Sequence, residues 1–200
     1  MKITHFVISA AALLMVAPAN AAVVMVTGTT SNVSAPPGPG SCAAPALTLI
    51  INPADTVGHS NLGNFTFSQQ HCVTPPLPAP YSGGIFSFFF DLGDTLTGSY
   101  AGMTSLSGVP GVLNNSLTYT ATGGTGRFVG ASGTIDLIGT ITFAAGRPPR
   151  GDSNLSGTLN LPAVPEPMTW MLLLTGFSLV GAKLRWVRQR SQVVRYAGIS

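Results

Sequence analysis

Short segments of alternating hydrophobic and polar residues run through the middle of the chain, separated by glycine and proline. The alternation in 46–52 and 62–69 has a period nearer two than 3.6, which is typical of strands that bury one face. The other strand candidates are 23–26, 84–92, 95–102, 113–121, 127–129, 133–139, 141–144 and 155–161. Because the strands are short, closely spaced and not interrupted by a helix of ordinary length, we predict an all-β domain over 46–161, an antiparallel β-barrel or sandwich.

Two segments are predicted to connect strands rather than form them. Residues 27–40 are rich in threonine, serine, proline and glycine, so we assign 22–45 to a flexible N-terminal segment in which only 23–26 could begin a strand. Residues 74–80 (TPPLPAP) contain several prolines, which neither a helix nor a central strand tolerates.

The first residues have the pattern of a secretory signal peptide. Lys2 supplies the positive start, 6–17 is an apolar run, and Ala19 and Ala21 supply the small residues of a cleavage site. We expect the secretion machinery to export the chain and signal peptidase to remove 1–21. A retained N-terminal anchor is the alternative.

A second apolar segment lies near the C-terminus, after the linker 162–167. Residues 170–182 carry no charge but would rise only about 20 Å as a helix, short of the roughly 30 Å of a bilayer core. Counted over 168–187, with the long cationic side chains reaching the interface, a transmembrane helix becomes possible. The predicted membrane stop comprises Lys183, Arg185, Arg188 and Arg190. The positive-inside rule then places the basic tail, 188–200, in the cytoplasm and the preceding domain outside.

This C-terminal region resembles the PEP-CTERM sorting signal of Gram-negative bacteria. The resemblance rests on the box Val164, Pro165, Glu166 and Pro167, on Trp170, and on the short apolar helix and arginine cluster that follow. It implies recognition and cleavage near the box by the membrane protease-transpeptidase exosortase, in bacteria that build an exopolysaccharide matrix. The segment 191–200 extends beyond the usual end of such signals, and an ordinary C-terminal membrane anchor is the alternative.

The net charge of the chain has a different interpretation when the terminal segments are counted separately from the central domain. The whole chain has a formal charge of +3, but between the two expected cleavage sites only three arginines face five aspartates, a net of −2. The cations therefore belong mostly to the membrane-topology signals. A nucleic-acid partner is not expected.

The glycine-rich segment 123–133 (GGTGRFVGASG) resembles the corresponding segment of dirigent and allene-oxide-cyclase-like β-barrels. Residues 88–100 also match a strand, turn and strand of that family. The resemblance implies a barrel fold. A matched set of the family's catalytic acids and bases is not found, so it implies no activity for this chain.

Cys42 and Cys72 are the only cysteines, and an exported protein meets an oxidising compartment, so we predict a disulfide between them. A zinc site formed with His59 and His71 is the alternative. It is disfavoured because His71 and Cys72 are adjacent on an extended segment and would point to opposite sides. We predict no metal and no cofactor.

Catalytic constellations are sparse, and we predict no catalytic residue. A triad of Ser60, His71 and Asp91 can be drawn, but no nucleophile-elbow motif supports it. Asp91 and Asp94 flank a predicted turn, where aspartate is ordinary. Asp136 would become a candidate only if its strand pointed it into the barrel.

Three further patterns have structural explanations that compete with functional ones. Gly124, Gly126 and Gly130 lack the spacing of a phosphate-binding loop, and the tripeptide 150–152 (RGD) lies in turn-like sequence. The aromatic residues divide into expected core positions and better candidates for carbohydrate contact: Phe86, Phe88 and Phe90 in the first group, Tyr81, Tyr100 and Tyr119 in the second.

The sequence therefore predicts an exported, exosortase-sorted protein of the cell surface or extracellular matrix, with a non-enzymatic structural or adhesive domain and exopolysaccharide as a candidate partner. The alternatives are a small extracellular isomerase or hydrolase and a barrel that binds a small hydrophobic ligand. Whether the barrel interior is filled decides among them.

Overall fold

The computed structural model describes residues 21–162 and 167–196, with side chains of the C-terminal segment described over 171–185. The predicted residues Ala19, Val164, Pro165 and Glu166 lie outside the described part, as do the side chains of Pro167, Trp170, Arg188 and Arg190. The predicted sorting and cleavage signals are therefore not tested by the fold.

Residues 21–162 form nine antiparallel strands and two short 3₁₀ turns, Pro53–Asp55 and Gly126–Phe128. The strands are β1 Ala22–Val33, β2 Leu47–Ile51, β3 Thr56–Ser60, β4 Gly63–Val73, β5 Ala79–Phe90, β6 Thr95–Leu106, β7 Val112–Gly124, β8 Ser132–Thr142 and β9 Arg150–Leu161. This confirms the all-β prediction and selects the barrel over the sandwich.

The sheet closes because β4 pairs on both sides. It pairs with β5 on one side, while β2 and β3 follow each other along its other side. The Pro53–Asp55 turn interrupts what is otherwise one strand. The closed ring of eight strands runs β1, β3, β4, β5, β6, β7, β8, β9 and back to β1.

The assignment of 22–45 to a flexible segment is wrong for its first part. Residues 22–33 form β1, which pairs along its whole length with β9 and over Gly28–Asn32 with β3. The sequence signal is weak here because Thr30 and Asn32 point into a polar part of the interior, so hydrophobic alternation stops after Val26. The barrel accordingly spans 22–161 rather than 46–161.

Other boundaries also differ from the predictions. Residues 127–129 lie in and after a 3₁₀ turn, and the two segments 133–139 and 141–144 belong mainly to the single strand β8. Pro80 lies inside β5, opposite Met103, just before a register shift. The tripeptide 150–152 begins β9 instead of forming a turn.

Aromatic rings fill one half of the barrel. Phe65, Phe67, Phe86, Phe88 and Phe90 are all buried, and the Phe65 ring stacks on Phe88 with centroids 4.7 Å apart. We call this group of five the aromatic plug. Glycine on neighbouring strands makes room for it: a Cβ on Gly58 would lie within 2.6 Å of three Phe65 ring atoms. The expectation that Phe86, Phe88 and Phe90 form core is thus confirmed.

Arg127 covers the plug end of the barrel. Its guanidinium carbon lies 5.0 Å from the Phe90 ring centroid and 4.8 Å from that of Phe128. Its Nη2 donates to the Leu62 carbonyl at 2.6 Å, while its Nε lies 3.2 Å from a carboxylate oxygen of Asp94. That Nε makes a charge contact without an aligned hydrogen bond. The glycine-rich segment therefore positions a structural cation.

Both ends of the barrel domain leave at this plug end, because Ala22 at the start of β1 pairs with Leu161 at the end of β9. The helix α1 covers Pro167–Tyr196. Within the part of the chain that the structure describes, no helix is long and apolar enough to cross a bilayer. The predicted span, 168–187, begins before and ends after the described side chains and stays a prediction.

Packing in the aromatic plug leads to a prediction about stability, which substitutions at two adjacent residues test. Phe88 points inward and is 2% exposed, whereas Phe89 points outward and is 39% exposed. We expect Phe88→Ala to lower the free energy of unfolding by about 3–5 kcal/mol, because it removes a ring from a packed interior. Phe89→Ala should cost less than about 1 kcal/mol. Urea denaturation of both variants checks this, and equal losses would contradict the plug.

Candidate functional site

The opposite end of the barrel is not filled. At this end, which we call the mouth, β1, β4, β6 and β8 finish and β2, β5, β7 and β9 begin. An outer cavity of about 220 Å³ adjoins an inner one of about 40 Å³. Both are lined by Ser34, Leu49, His71, Tyr81 and Ile141, so they form one continuous mouth cavity.

The mouth stays open because two strands diverge there. Pairing between β1 and β3 ends at Asn32 and Thr56, and β2 has no ladder with β1. The connection 34–46, which we call the strap, lies at this gap and makes one isolated bridge, Gly38 to Thr48. A chain segment thus replaces regular sheet at one side of the cavity.

The disulfide fastens the strap to the barrel. Cys42 in the strap and Cys72 in β4 are bonded, in agreement with the sequence prediction, and their Cα atoms lie 5.6 Å apart. In addition, the Cys42 amide donates to the Thr48 hydroxyl at 3.1 Å. Closing a loop of this length in the unfolded chain stabilises the fold by about 3 kcal/mol in the chain-entropy account.

The outer part of the mouth cavity is apolar. Its walls come mainly from aliphatic, aromatic and proline side chains: Leu47, Leu49, Val73, Pro75, Leu77, Ala79, Leu113, Ile141, Phe143 and Pro149. Within the described part of the chain, neither cavity is lined by a charged side chain. The site therefore suits an apolar molecule better than an ionic one.

A polar cluster lies between this apolar mouth and the aromatic plug. Tyr81 Oη donates to Asn115 Oδ1 at 2.8 Å and accepts from the Thr104 hydroxyl at 3.1 Å. The Gln69 side-chain amide donates to the Tyr119 hydroxyl. The inner wall is therefore a set of paired polar groups rather than a continuation of the apolar core.

His71 is the member of this cluster with an unused polar atom. It is 4% exposed, and its Nδ1 lies 2.5 Å from the Tyr100 hydroxyl. Its ring packs on Tyr81, with centroids 4.0 Å apart. Its Nε2 is buried and has no hydrogen-bond partner in the described residues.

Burial controls protonation throughout the cluster. Desolvation lowers the pKa of His71 from 6.5 to about 4, so the imidazole is neutral near pH 7. Burial likewise raises the pKa values of Tyr81, Tyr100 and Tyr119, so these hydroxyls keep their protons. The cluster is an uncharged set of donors and acceptors.

The carboxylate and histidine considered from the sequence do not line the mouth cavity. Asp136 is exposed on the outer face of β8, where it accepts from the Thr118 hydroxyl at 2.6 Å. His59 is also exposed and contacts Asn64. The condition under which Asp136 would become a candidate is therefore not met.

The triad of Ser60, His71 and Asp91, which no sequence motif supported, is not assembled in the structure. Ser60 and Asp91 lie near each other at the plug end, bonded to Gly63 and Asn64 respectively, whereas His71 lies at the mouth. The alternative zinc site has no cysteine ligands available, because Cys42 and Cys72 are bonded to each other. No group of three or more potential metal ligands occurs among the described residues.

The remaining sequence candidates have local roles. Gly124 ends β7 and Gly126 begins a 3₁₀ turn at φ +59°, beside Asp94. Arg150 pairs with Asp152 two residues later on the outer face, and this contact lowers the pKa of Asp152. The tyrosines Tyr81, Tyr100 and Tyr119 are buried in the polar cluster rather than displayed for carbohydrate stacking.

Sequence reasoning missed Gln69, Thr104 and Asn115 as site residues. A signal was present in β4, where the inward positions change from Phe65 and Phe67 to Gln69 and His71. Consecutive polar residues at inward positions indicate a polar interior, but single-strand patterns do not show which strands face one another.

No known protein offers a comparison for this site. No family model, no curated protein and no solved structure matches this chain.

The buried neutral imidazole predicts an acid-dependent loss of stability. Since the pKa of His71 is 6.5 unfolded and about 4 folded, the unfolded chain binds more protons between these values. The free energy of unfolding should fall as the pH is lowered through this window, by roughly 3 kcal/mol in total. Urea denaturation at pH 7, 5.5 and 4 measures it.

The matched variants are His71→Gln, which should lose this part of the acid sensitivity, and His59→Gln, which should retain it because His59 is exposed. The aspartates are common to all three proteins. Equal acid sensitivity of wild type and His71→Gln would contradict a buried neutral imidazole.

Proposed function

We propose that this exported barrel binds a small, largely apolar, uncharged molecule in the mouth cavity. The observation that carries the proposal is an apolar cavity lined by His71, whose buried Nε2 has no protein partner in the described chain. A purely structural or adhesive domain needs no such opening, so the ligand-binding alternative is now the better supported one.

The size of the cavity limits the ligand. About 220 Å³ in the outer part accommodates a molecule of roughly ten non-hydrogen atoms, and the inner 40 Å³ adds room for one polar group. Burial of such a molecule against aliphatic walls contributes about 25 cal/mol per Å² of apolar area. Binding in the micromolar range is consistent with these dimensions.

Binding is better supported than an isomerase or hydrolase activity. The cluster places one imidazole among neutral tyrosines, and the carboxylates Asp91, Asp94 and Asp136 lie elsewhere, two at the plug end and one on the outer face. A general base or nucleophile of the kinds used by hydrolases needs a partner that activates it. The neutral, hydrogen-bonded groups of the cluster are better suited to orienting a bound ligand.

Export and sorting complete the proposal. The signal peptide and the PEP-CTERM-like segment would direct the chain across the inner membrane and to exosortase, with the cell surface or extracellular matrix as destination. The pairing of Ala22 with Leu161 puts the start and the end of the barrel domain at the same end of the barrel. Both chain ends leave at the plug end, so a C-terminal attachment keeps the mouth free of covalent connections.

Two neighbouring residues in β2 test ligand binding. Leu49 lines both parts of the cavity, whereas Ile50 points outward and is 50% exposed. Leu49→Trp should fill the mouth and reduce binding of heptan-2-one at least tenfold, while Ile50→Trp should leave it unchanged. Headspace gas chromatography measures the bound fraction, and circular dichroism confirms folding. Equal binding by both variants would place the ligand outside the cavity.

The sorting signal is tested separately, by replacing Pro165, Glu166 and Pro167 with alanine in the natural host. We expect the altered precursor to stay in the membrane fraction with an intact C-terminus. Wild type should be trimmed near the box and leave that fraction. Mass spectrometry and fractionation measure both outcomes, and trimming of the altered protein would contradict exosortase recognition.

A further inference from the structure

The tautomer of His71 follows from counting hydrogen-bond partners. The Tyr100 hydroxyl has one proton to donate, and His71 Nδ1 is its one side-chain partner among the described residues. If Nδ1 carried the imidazole proton, both the Tyr100 proton and the Nε2 lone pair would be left without partners. If Tyr100 donates to Nδ1, the Nε2 proton is the one group left without a hydrogen-bond partner.

The second arrangement leaves fewer buried groups unpaired and is favoured. Burial supports it further, because a neutral imidazole carries one proton and the pKa of His71 lies at about 4. Tyr100 therefore acts as a positioning residue that directs the imidazole proton to Nε2.

The buried Nε2 edge of the ring is the edge that Tyr100 does not hold. His71 lines both parts of the mouth cavity, whereas Tyr100, which holds the Nδ1 edge, lines neither. Leaving a buried donor without a partner carries a free-energy cost. A ligand that brings an acceptor to this point recovers that free energy, and a ligand without one does not.

The chemistry of the lining excludes charged acceptors. A carboxylate or phosphate in the mouth would have to leave water with no cation beside it, since neither cavity is lined by lysine or arginine among the described residues. A ketone, aldehyde or ether oxygen accepts a hydrogen bond without that cost. The apolar remainder of the ligand then lies toward Leu47, Leu113 and Phe143.

We propose that the ligand of this barrel is a neutral carbonyl or ether compound whose oxygen accepts a hydrogen bond from His71 Nε2, with its hydrocarbon part directed toward the mouth. This inference rests on the proposed ligand-binding function and adds the identity of the polar group and its orientation. It makes His71 the residue that determines specificity.

Three probes of equal chain length test it: heptan-2-one, heptane and heptanoate at pH 7, with the full-length mature protein. The ratio of heptan-2-one affinity to heptane affinity should be about tenfold higher in wild type than in His71→Phe, as one hydrogen bond predicts, and wild type should bind heptanoate more weakly than the ketone. Headspace gas chromatography serves the two volatile probes and calorimetry serves heptanoate.

Variants separate specificity from folding. His71→Phe should lose this tenfold gain for the ketone relative to heptane, and His71→Gln, which keeps a side-chain donor, should retain part of it. His59→Phe, at an exposed position, should behave as wild type. In wild type, ¹⁵N spectra should show protonated Nε2 and a shift of that signal on adding ketone. In Tyr100→Phe the population of this tautomer should fall.

The outcomes distinguish the two claims. The same ratio of ketone affinity to heptane affinity in wild type and in His71→Phe would overturn the inference and leave the cavity as a binding site. Preference for heptanoate would overturn the neutral ligand class. Failure of every probe to bind would overturn the proposed function, and the inference with it.

Discussion

Closing eight strands into a barrel creates an interior of nearly fixed width, and the side chains that point inward must either fill it or leave a cavity. The rest of this structure depends on how the chain meets that constraint. Phenylalanines on β4 and β5 fill one half, and their rings fit because facing positions such as Gly58 and Gly98 carry no Cβ. The other half receives smaller and more polar side chains, which do not fill it.

The division between halves also separates stability from function. The aromatic plug, with Arg127 over its outer end, gives the barrel a packed core at one end. The mouth can therefore tolerate a gap between β1 and β2, a disulfide-fastened strap and an unpaired imidazole nitrogen. The gap and the unpaired nitrogen would each weaken a small barrel that had no packed core elsewhere.

The sequence predicted the fold class and the cysteine pair because both depend on local signals. Period-two alternation in segments such as 62–69 identifies strands, and two cysteines in a chain that is predicted to be exported have one possible partner each. The polar strand β1 was missed because its inward residues Thr30 and Asn32 face the unfilled half. Polar residues on an inward face look the same in sequence as a loop.

The candidate site was less predictable for a related reason. His71 was considered as a zinc ligand and as a triad member, and its real neighbours are Tyr81 and Tyr100, from strands well separated along the chain. Only the closed register brings them together. Asp136 shows the reverse case, since a shift of one position along β8 would have placed it inside. Inward direction, more than residue type, decides which polar groups form the site.

The central claim is that the barrel is packed at one end and accessible at the other, and a crystal structure under xenon pressure tests it most directly. Xenon occupies dry apolar space that it can reach. We predict xenon sites against Leu49, Leu113 and Ile141 in the mouth and none among the rings of the aromatic plug. An interior without xenon, with the mouth closed by side chains or by the strap, would contradict the account.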